Sequence, residues 1–443
     1  MITTIGLENF KSIRKRTVIL AKPITILIGP NRSGKSSFLQ VIALLAQSIR
    51  RNPKHLDSKG QFIDLGDIEN LVHEGYETEG FSFSIGMQFD NRKNFGFSDD
   101  EIRILYDAPS TSFDWNFDFT AKGVLEKINY TVESTGMPVR GKWILGMPRR
   151  RGGAIATQIG DLIFSSVDAI FHLEISSKFQ SGVDDSKEAW LLRTQEVLRE
   201  CSKTYMQNNV YYVPPWRGMI QSAYNFTARP VNRLFTNLNA DQGSETASTL
   251  TYLEELRPII KESLSNIFGP LELEPSIVHG PQVYIRLRRK GGQNWINLIN
   301  DGFGVNQLSM VLAQMALAPK FSTVMIEEPE IHLHPRAQAE LAEVLATWSL
   351  REHKQLLITT HSEHFLSRLL TMVARGDLSP DDLVIYYIEL QDNVTEVELL
   401  EVDSKGRLPK GLRGFFEFEI DALRDYLAVL NDGDEDAKKD VHS

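Results

Sequence analysis

Within Gly29-Pro-Asn-Arg-Ser-Gly-Lys-Ser-Ser37, glycines at 29 and 34 precede a lysine at 35 and a hydroxyl at 36. The spacing is Gly-x4-Gly-Lys-[Ser/Thr]. It bends the main chain so that successive amides converge on a phosphate, together with the amino-terminus of the helix that follows. Gly29, Pro30, Asn31, Arg32, Ser33, Gly34, Lys35, Ser36 and Ser37 are therefore a candidate phosphate cradle. Lys35 is placed to neutralise β- and γ-phosphates, and Ser36 to offer its hydroxyl to Mg2+. A nucleoside triphosphate with Mg2+ is the ligand pair this chemistry requires.

Such a loop needs a carboxylate for the metal and a group that positions water. Glu327-Glu328-Pro-Glu-Ile-His-Leu-His-Pro335 supplies both, directly after the apolar run Phe321-Ser-Thr-Val-Met-Ile326. Glu327 is the candidate metal ligand, acting through the ion's water shell, and Glu328 the candidate that orients the attacking water. Two adjacent acids repel in a dry site, and a cation beside them offsets that cost. His361 ends the next apolar run, Gln355-Leu-Leu-Ile-Thr-Thr360. It can hydrogen-bond a γ-phosphate and register its loss; a helix-capping or core role is the alternative. His332 and His334 invite a metal reading, but no third ligand group is spaced for zinc and the carboxylates already have a role.

Asn300-Asp-Gly-Phe-Gly-Val-Asn-Gln-Leu308 is a second anion-binding candidate, with Gly302, Gly304 and Asn306 opening a helix expected over Leu308 to Ala318. One nucleotide does not easily use both loops within a monomer. The economical arrangement is a head-to-tail dimer, in which Gly302 to Asn306 of one subunit closes over the nucleotide held by Lys35 of the other. A homodimer or a larger even-numbered homo-oligomer is expected. The alternative for this segment is a simple helix-start turn.

These residues need an α/β frame. Ile24-Thr-Ile-Leu-Ile28 reads as a buried strand, and Phe38 to Ala46 as a helix running to about Arg50, where Asn52-Pro53 ends it. Val324 to Thr360, with Pro335 starting a helix along Ala337 to Trp348, is a βαβ crossover, which demands parallel strands. His361, Glu328 and Lys35 then share one sheet edge. Ile2 to Leu7, Thr17 to Leu20 and Ile24 to Ile28 read as strands of one mixed sheet. Phe81 to Phe89, Ile102 to Tyr106, Phe113 to Phe119 and Ile128 to Val132 read as an antiparallel region, with turns at Asp90-Asn91 and Ser98 to Asp100. Lys187 to Cys201 and Thr249 to Leu264 read as helices, Val210 to Val213 as a strand, and Val283 to Leu287 with Trp295 to Leu298 as a hairpin. The expected division is an N-terminal ATPase lobe over 1–80, an inserted β-rich and helical region over 81–208, a C-terminal lobe over 209–400, and an extension with a disordered tail over 401–443.

The 443 residues allow two or three domain-sized units. A net charge of −10 argues against a surface coated for nucleic acid but leaves room for a local basic groove. Lys11 to Arg16, Arg149-Arg150-Arg151 and Arg286 to Lys290 are solvated faces or, for at least one of them, a DNA-phosphate contact. The single cysteine, Cys201, excludes an intramolecular disulfide and fits a reducing compartment. No apolar run reaches the roughly 18 residues of a membrane span, and no secretion signal opens the chain, so a cytoplasmic protein without membrane association is expected.

Leu7-Glu-Asn-Phe-Lys-Ser-Ile13, Gly29-Pro-Asn-x-Ser-Gly-Lys-Ser36, Gly302-Phe-Gly304, Ile326-Glu-Glu-Pro-Glu-x-His-Leu-His-Pro335 and Thr359-Thr-His-Ser362 occur in this order. In this the chain resembles the ABC-type AAA ATPases related to the OLD-family and RecF ATPase heads. Pro214-Pro-Trp-Arg217 and Gly243-Ser-Glu-Thr246 are similar to the linking loops of that group. The resemblance is specific over 1–45 and 300–365 and loose over 205–300. It implies an α/β fold, an ABC-type P-loop ATPase head with a mixed sheet plus a parallel core, and ATP-dependent dimerisation of two heads. It implies Walker A roles for Lys35 and Ser36, a Walker B pair at Glu327 and Glu328, a signature-like segment at Gly302 to Asn306 and a switch histidine at His361. Arg32 stands where the group often has a small residue or Asn, and Glu327 where most ABC proteins have aspartate. About 80 residues follow His361 without a strand-linked Asp-x-Asp set, so a complete Toprim nuclease domain is not expected. By analogy with prokaryotic antiphage systems, the resemblance implies a switch ATPase that controls a separate effector, a nuclease, in antiphage defence or DNA maintenance. The alternative is an ATP- and DNA-binding scaffold with negligible turnover; the presence of both Glu328 and His361 favours hydrolysis.

Overall fold

Strand β3 (Ile24–Ile28) is buried along its whole length, as an apolar run must be when both sheet faces are covered. In the computed structural model it lies inside a six-stranded sheet. Its neighbours are β16 (Gln355–Thr360) and β17 (Leu383–Gln391), both parallel to it. β15 (Thr323–Glu327) and then β10 (Val210–Val213) extend the parallel set beyond β16, and β18 (Val394–Leu400) turns back antiparallel on β17. The structure describes residues 1–51, 56–60, 62–90, 110–134, 137–144, 166–169, 172–174, 204–225, 242–277, 282–409 and 411.

A second six-stranded sheet is antiparallel throughout. It joins β1 (Ile2–Glu8) and β2 (Thr17–Leu20) to β4 (Phe81–Asp90), β5 (Ser110–Phe119), β6 (Leu125–Ser134) and β7 (Met137–Ile144). The order is β2-β1-β4-β5-β6-β7. The single mixed sheet expected for the first three strands is thus two sheets. β1 and β2 each leave part of their length uncovered and pair with one another, whereas the fully buried β3 joins strands from much later in the chain. The antiparallel sheet also runs across residue 80, where the sequence suggests a boundary. Two smaller sheets complete the described strands. One holds β11 (Tyr224–Asn225), β12 (Leu271–Ile277), β13 (Gln282–Arg289) and β14 (Ile296–Asn297). The other is a hairpin of β8 (Ser166–Ala169) and β9 (His172–Glu174).

Helix α1 (Lys35–Arg51) lies between the two large sheets. Its Phe38, Leu39, Ile42 and Leu45 join Leu27 of β3 and the Phe81, Phe83 and Phe117 rings in one core. The other face of β3, Ile24, Ile26 and Ile28, belongs to a second core with α2 (Gln242–Tyr252), α3 (Arg257–Phe268), α4 (Phe303–Leu317), α5 (Pro335–Glu352) and α6 (Glu363–Arg375). The alternation along β3 is the two-residue period of a strand covered on both faces.

The one helix expected over Thr249 to Leu264 is two, broken at Leu253. Pro258 sits in the first turn of α3. It has no N–H to give the Glu254 carbonyl, and its ring would crowd that oxygen in a continuous helix. α4 starts at Phe303 rather than Leu308, because Gly302, at φ 103°, already occupies the N-cap. β12 contains Pro275, which hid it from sequence reading; it is an edge strand of its sheet, where a missing N–H is tolerated. The strand expected at Ile102 to Tyr106, the helix at Lys187 to Cys201, the turns beyond residue 90, the cluster Arg149 to Arg151 and the tail from Asn431 lie outside the described residues. Among the described residues, no helix is long and apolar enough to cross a membrane.

Candidate active site

Thr360 of β16 faces Ile28 of β3, and Glu327 of β15 faces Thr359 of β16. Three parallel strands therefore end together, and the residues that follow them meet at one edge. Gly29 leaves β3 at φ 153° with its α-carbon against β17. A Cβ there would stand 1.9 Å from the Ile388 carbonyl oxygen, so only glycine fits. The loop is also held from outside. The Thr395 hydroxyl lies 2.8 Å from the Ser33 carbonyl oxygen and 2.7 Å from the Ser12 hydroxyl. Asn31 and Arg32 are exposed, with Arg32 in the left-handed region at φ 64°.

Lys35 folds into the loop it ends. Its ammonium donates to the carbonyl oxygens of Gly29 (3.0 Å) and Pro30 (2.7 Å). Burial pulls its pKa down to about 8, against the attraction of Glu328, Glu330 and Glu327. Ser36 Oγ donates to Glu327 Oε2 at 2.7 Å, and the Tyr212 hydroxyl of β10 donates to Glu327 Oε1 at 2.7 Å. Glu327 is 3 % exposed, and burial pushes its carboxyl above the usual range. Lys11, whose ammonium donates to Gln40 Oε1 at 2.5 Å, adds positive potential at Glu327; burial lowers its own pKa to about 8.

Glu328 sits at φ 46°, a conformation that a side-chain-bearing residue keeps only when its surroundings over-determine it. Its N–H donates to the Thr359 carbonyl at 2.9 Å and its carbonyl accepts from Arg217 Nη2 at 2.8 Å. Its carboxylate Oε1 lies 3.0 Å from His361 Nε2, and that hydrogen bond holds the Glu328 carboxyl below the usual range. Glu330 is buried and braces the histidine from behind. Its Oε1 accepts from the Thr360 hydroxyl (2.6 Å) and the His361 N–H (2.7 Å).

The Gly302 turn is different in kind. Gly302 and Phe303 face solvent, Phe303 being 63 % exposed, and no side chain caps the helix. Gly304 packs on the turn after β15, where a Cβ would be 3.0 Å from the His332 carbonyl oxygen. Asn306 points inward. Its Nδ2 donates to the Met219 carbonyl (2.8 Å) and its Oδ1 accepts from the Met219 N–H (2.7 Å). The His332 ring lies 5.6 Å from the Phe303 ring, and His334 Nδ1 accepts from the Arg336 N–H to cap α5. Lys35, Ser36, Glu327, Glu328 and His361 are thus brought together, while Gly302 and Gly304 lie on a separate, open helix start.

Sequence reasoning missed Tyr212, Arg217, Glu330 and Thr395. Tyr212 carried a weak signal, one of two tyrosine hydroxyls in a short buried strand, which local pattern does not tell apart. Thr395 carried none, because what gives it meaning is a contact with Ser12 and Ser33 across most of the chain. Ser36 and Glu327 also fit Mg2+. A hydroxyl and a buried carboxylate are hard oxygen donors already in contact, and a carboxylate whose charge is disfavoured by burial gains most from a cation.

A glycine loop between buried strand and helix, with its lysine inside and paired carboxylates on a strand beside it, defines a P-loop ATPase head. The chain belongs to a family described as AAA ATPase domain, whose model matches residues 1–144 and 152–366. An OLD nuclease from Thermus scotoductus is 23 % identical over 415 residues, covering 88 % of this chain; the chain spans 65 % of that protein's length. Among solved structures, the SmcHead bound to the C-winged helix domain of ScpA superposes with a TM-score of 0.49 at 14 % identity, covering 91 % of this chain and 98 % of that one. The SMC head domain from Thermotoga maritima gives 0.42 at 13 %, covering 90 % and 99 %.

Proposed function

We propose that this chain is a switch ATPase that binds ATP with Mg2+ at the Gly29–Ser37 loop, closes head-to-tail with a second copy, and by hydrolysis controls a separate effector protein. The reading is carried by one juxtaposition: the Ser36–Glu327 pair and the Glu328–His361 pair at the same sheet edge. Lys35 exchanges the Gly29 and Pro30 carbonyls for β- and γ-phosphate oxygens. Mg2+, held by Ser36 and Glu327, would supply the charge that phosphoryl transfer demands. Glu328, ionised at neutral pH, accepts a hydrogen bond from the attacking water and orients it. His361 keeps that carboxylate aimed and is free to exchange it for the γ-phosphate. The exposed amides at Gly302 to Gly304 close over the nucleotide of the other copy.

The family and the resemblance to an OLD nuclease support a nuclease as the effector, with antiphage defence or DNA maintenance in the cytoplasm as the setting. DNA is a candidate ligand, but β13 does not supply a basic face for it, since Arg286 and Arg288 stand directly opposite Glu274 and Glu272 of β12. In this reading Glu328→Gln lowers kcat by about a hundredfold or more while ATP affinity stays within a few-fold, and it traps an ATP-dependent dimer visible by light scattering. Tight ATP binding with no turnover in the unmodified chain would instead favour a scaffold.

A further inference from the structure

We propose that Arg217 is a positioning residue that couples the start of α4 to the Glu328 carboxylate through the 214–219 segment. This coupling presupposes the closed, head-to-tail ATPase proposed above. Arg217 is 7 % exposed, and its guanidinium donates to main-chain oxygens rather than to a carboxylate. Nη1 donates to the carbonyls of Pro214 (2.8 Å) and Glu327 (2.9 Å), and Nη2 to that of Glu328 (2.8 Å). The cation adds positive potential at Glu327, Glu328 and Glu330, but its hydrogen bonds go to carbonyls, so it also fixes the backbone that carries two carboxylates. The fork matters, because two nitrogens in a rigid plane hold consecutive carbonyls at a set angle, which an ammonium does not. Glu328 needs such a restraint, since its left-handed backbone has no propensity of its own to persist.

Two residues further on, the same segment is tied to α4. Asn306 bonds both the N–H and the carbonyl of Met219 from within the first turn of that helix, and it is 2 % exposed. Met219 is also buried. A shift of α4, produced when Gly302 and Phe303 meet the nucleotide of another copy, is therefore passed through Asn306, Met219 and Arg217 to the backbone of Glu327 and Glu328. The two ends of the path are buried or part-buried hydrogen bonds, costly to leave unmade, and Gly218 joins them covalently, so the links move together rather than part. Closure at one end thereby sets the aim of the water-orienting carboxylate at the other.

The test is amide hydrogen exchange on the nucleotide-free full-length protein, with melting temperatures to confirm folding. Asn306→Ala and Arg217→Lys should each raise exchange severalfold over residues 326–331, leave residues 29–36 unchanged, and in combination add nothing beyond the larger single effect. Unchanged exchange at 326–331 in Asn306→Ala, or effects that sum in the double variant, would overturn the coupling. Should Arg217→Lys fail to fold, Asn306→Ala alone decides, because it acts from the opposite end. In turnover assays both variants should lose about tenfold in kcat with ATP affinity within about twofold. An unmodified chain that lacks turnover yet shows the linked exchange would remove the hydrolysis reading and leave the coupling standing.

Discussion

The turn into α1 and the turn into α4 share their local geometry. Each places a glycine at φ near 100° directly before the first helical residue, Gly34 at 100° and Gly302 at 103°. Their surroundings differ in every other respect. Around Gly34 the chain supplies a buried lysine, a serine bonded to a carboxylate, and a threonine clasp. Around Gly302 there is an exposed phenylalanine, no charged residue in the first turn and no capping side chain. In the proposed function, one helix start carries the charges that grip a triphosphate. The other offers bare amides and no countercharge, which suits a lid over a ligand carried elsewhere. Like geometry is thus a weak guide to role, and the charges packed around it decide.

The strongest way to break that contrast is complementation. Lys35→Met should remove nearly all ATP binding at the loop. Gly302→Arg, in open space at a backbone angle that disfavours a side chain, should leave binding intact and remove turnover. Mixed in equal amounts, the two inactive variants should recover about a quarter of the unmodified turnover, since half the dimers are mixed and one of their two composite sites is whole. Failure to recover any would refute the head-to-tail lid.

His361→Ala sharpens the grip side. It should cost about tenfold in kcat and move the acid limb of the pH–rate profile upward, because the bond that holds Glu328 below its usual range is gone. A profile that keeps its acid limb would separate the histidine from Glu328. The smallest effect concerns Lys35. Its pKa near 8 means that the nucleotide-free loop loses its charge as pH rises toward 10.5, whereas bound phosphate favours the ammonium. ATP binding should therefore take up a proton in that window and weaken with rising pH, by about threefold between about pH 7.5 and 8.5. Calorimetry in buffers of differing ionisation enthalpy reads this directly.

The grip was legible in the sequence because it is contiguous. The glycine loop, the paired acids after Ile326 and the histidine after Thr360 each follow an apolar run, and parallel strands force their ends together. What braces the grip was not legible. Tyr212, Arg217 and Thr395 reach the site from β10, a linking loop and the β17–β18 hairpin. The lid was half legible. Its glycines announced a helix start, but the inward aim of Asn306 depends on Met219, a contact no local pattern encodes. The division of β1, β2 and β3 between two sheets escaped for a related reason. Pairing of distant strands follows burial on both faces, and the alternation of a single strand does not name its neighbour.

The pairing of β3 has a consequence for biosynthesis. The strand emerges among the first thirty residues, yet both of its sheet neighbours lie beyond residue 354, and the clasp on its loop waits for Thr395. A nascent polypeptide thus carries the Gly29–Ser37 segment without its sheet neighbours for more than 300 residues of synthesis, and the loop gains its full set of contacts only after Thr395 has left the ribosome.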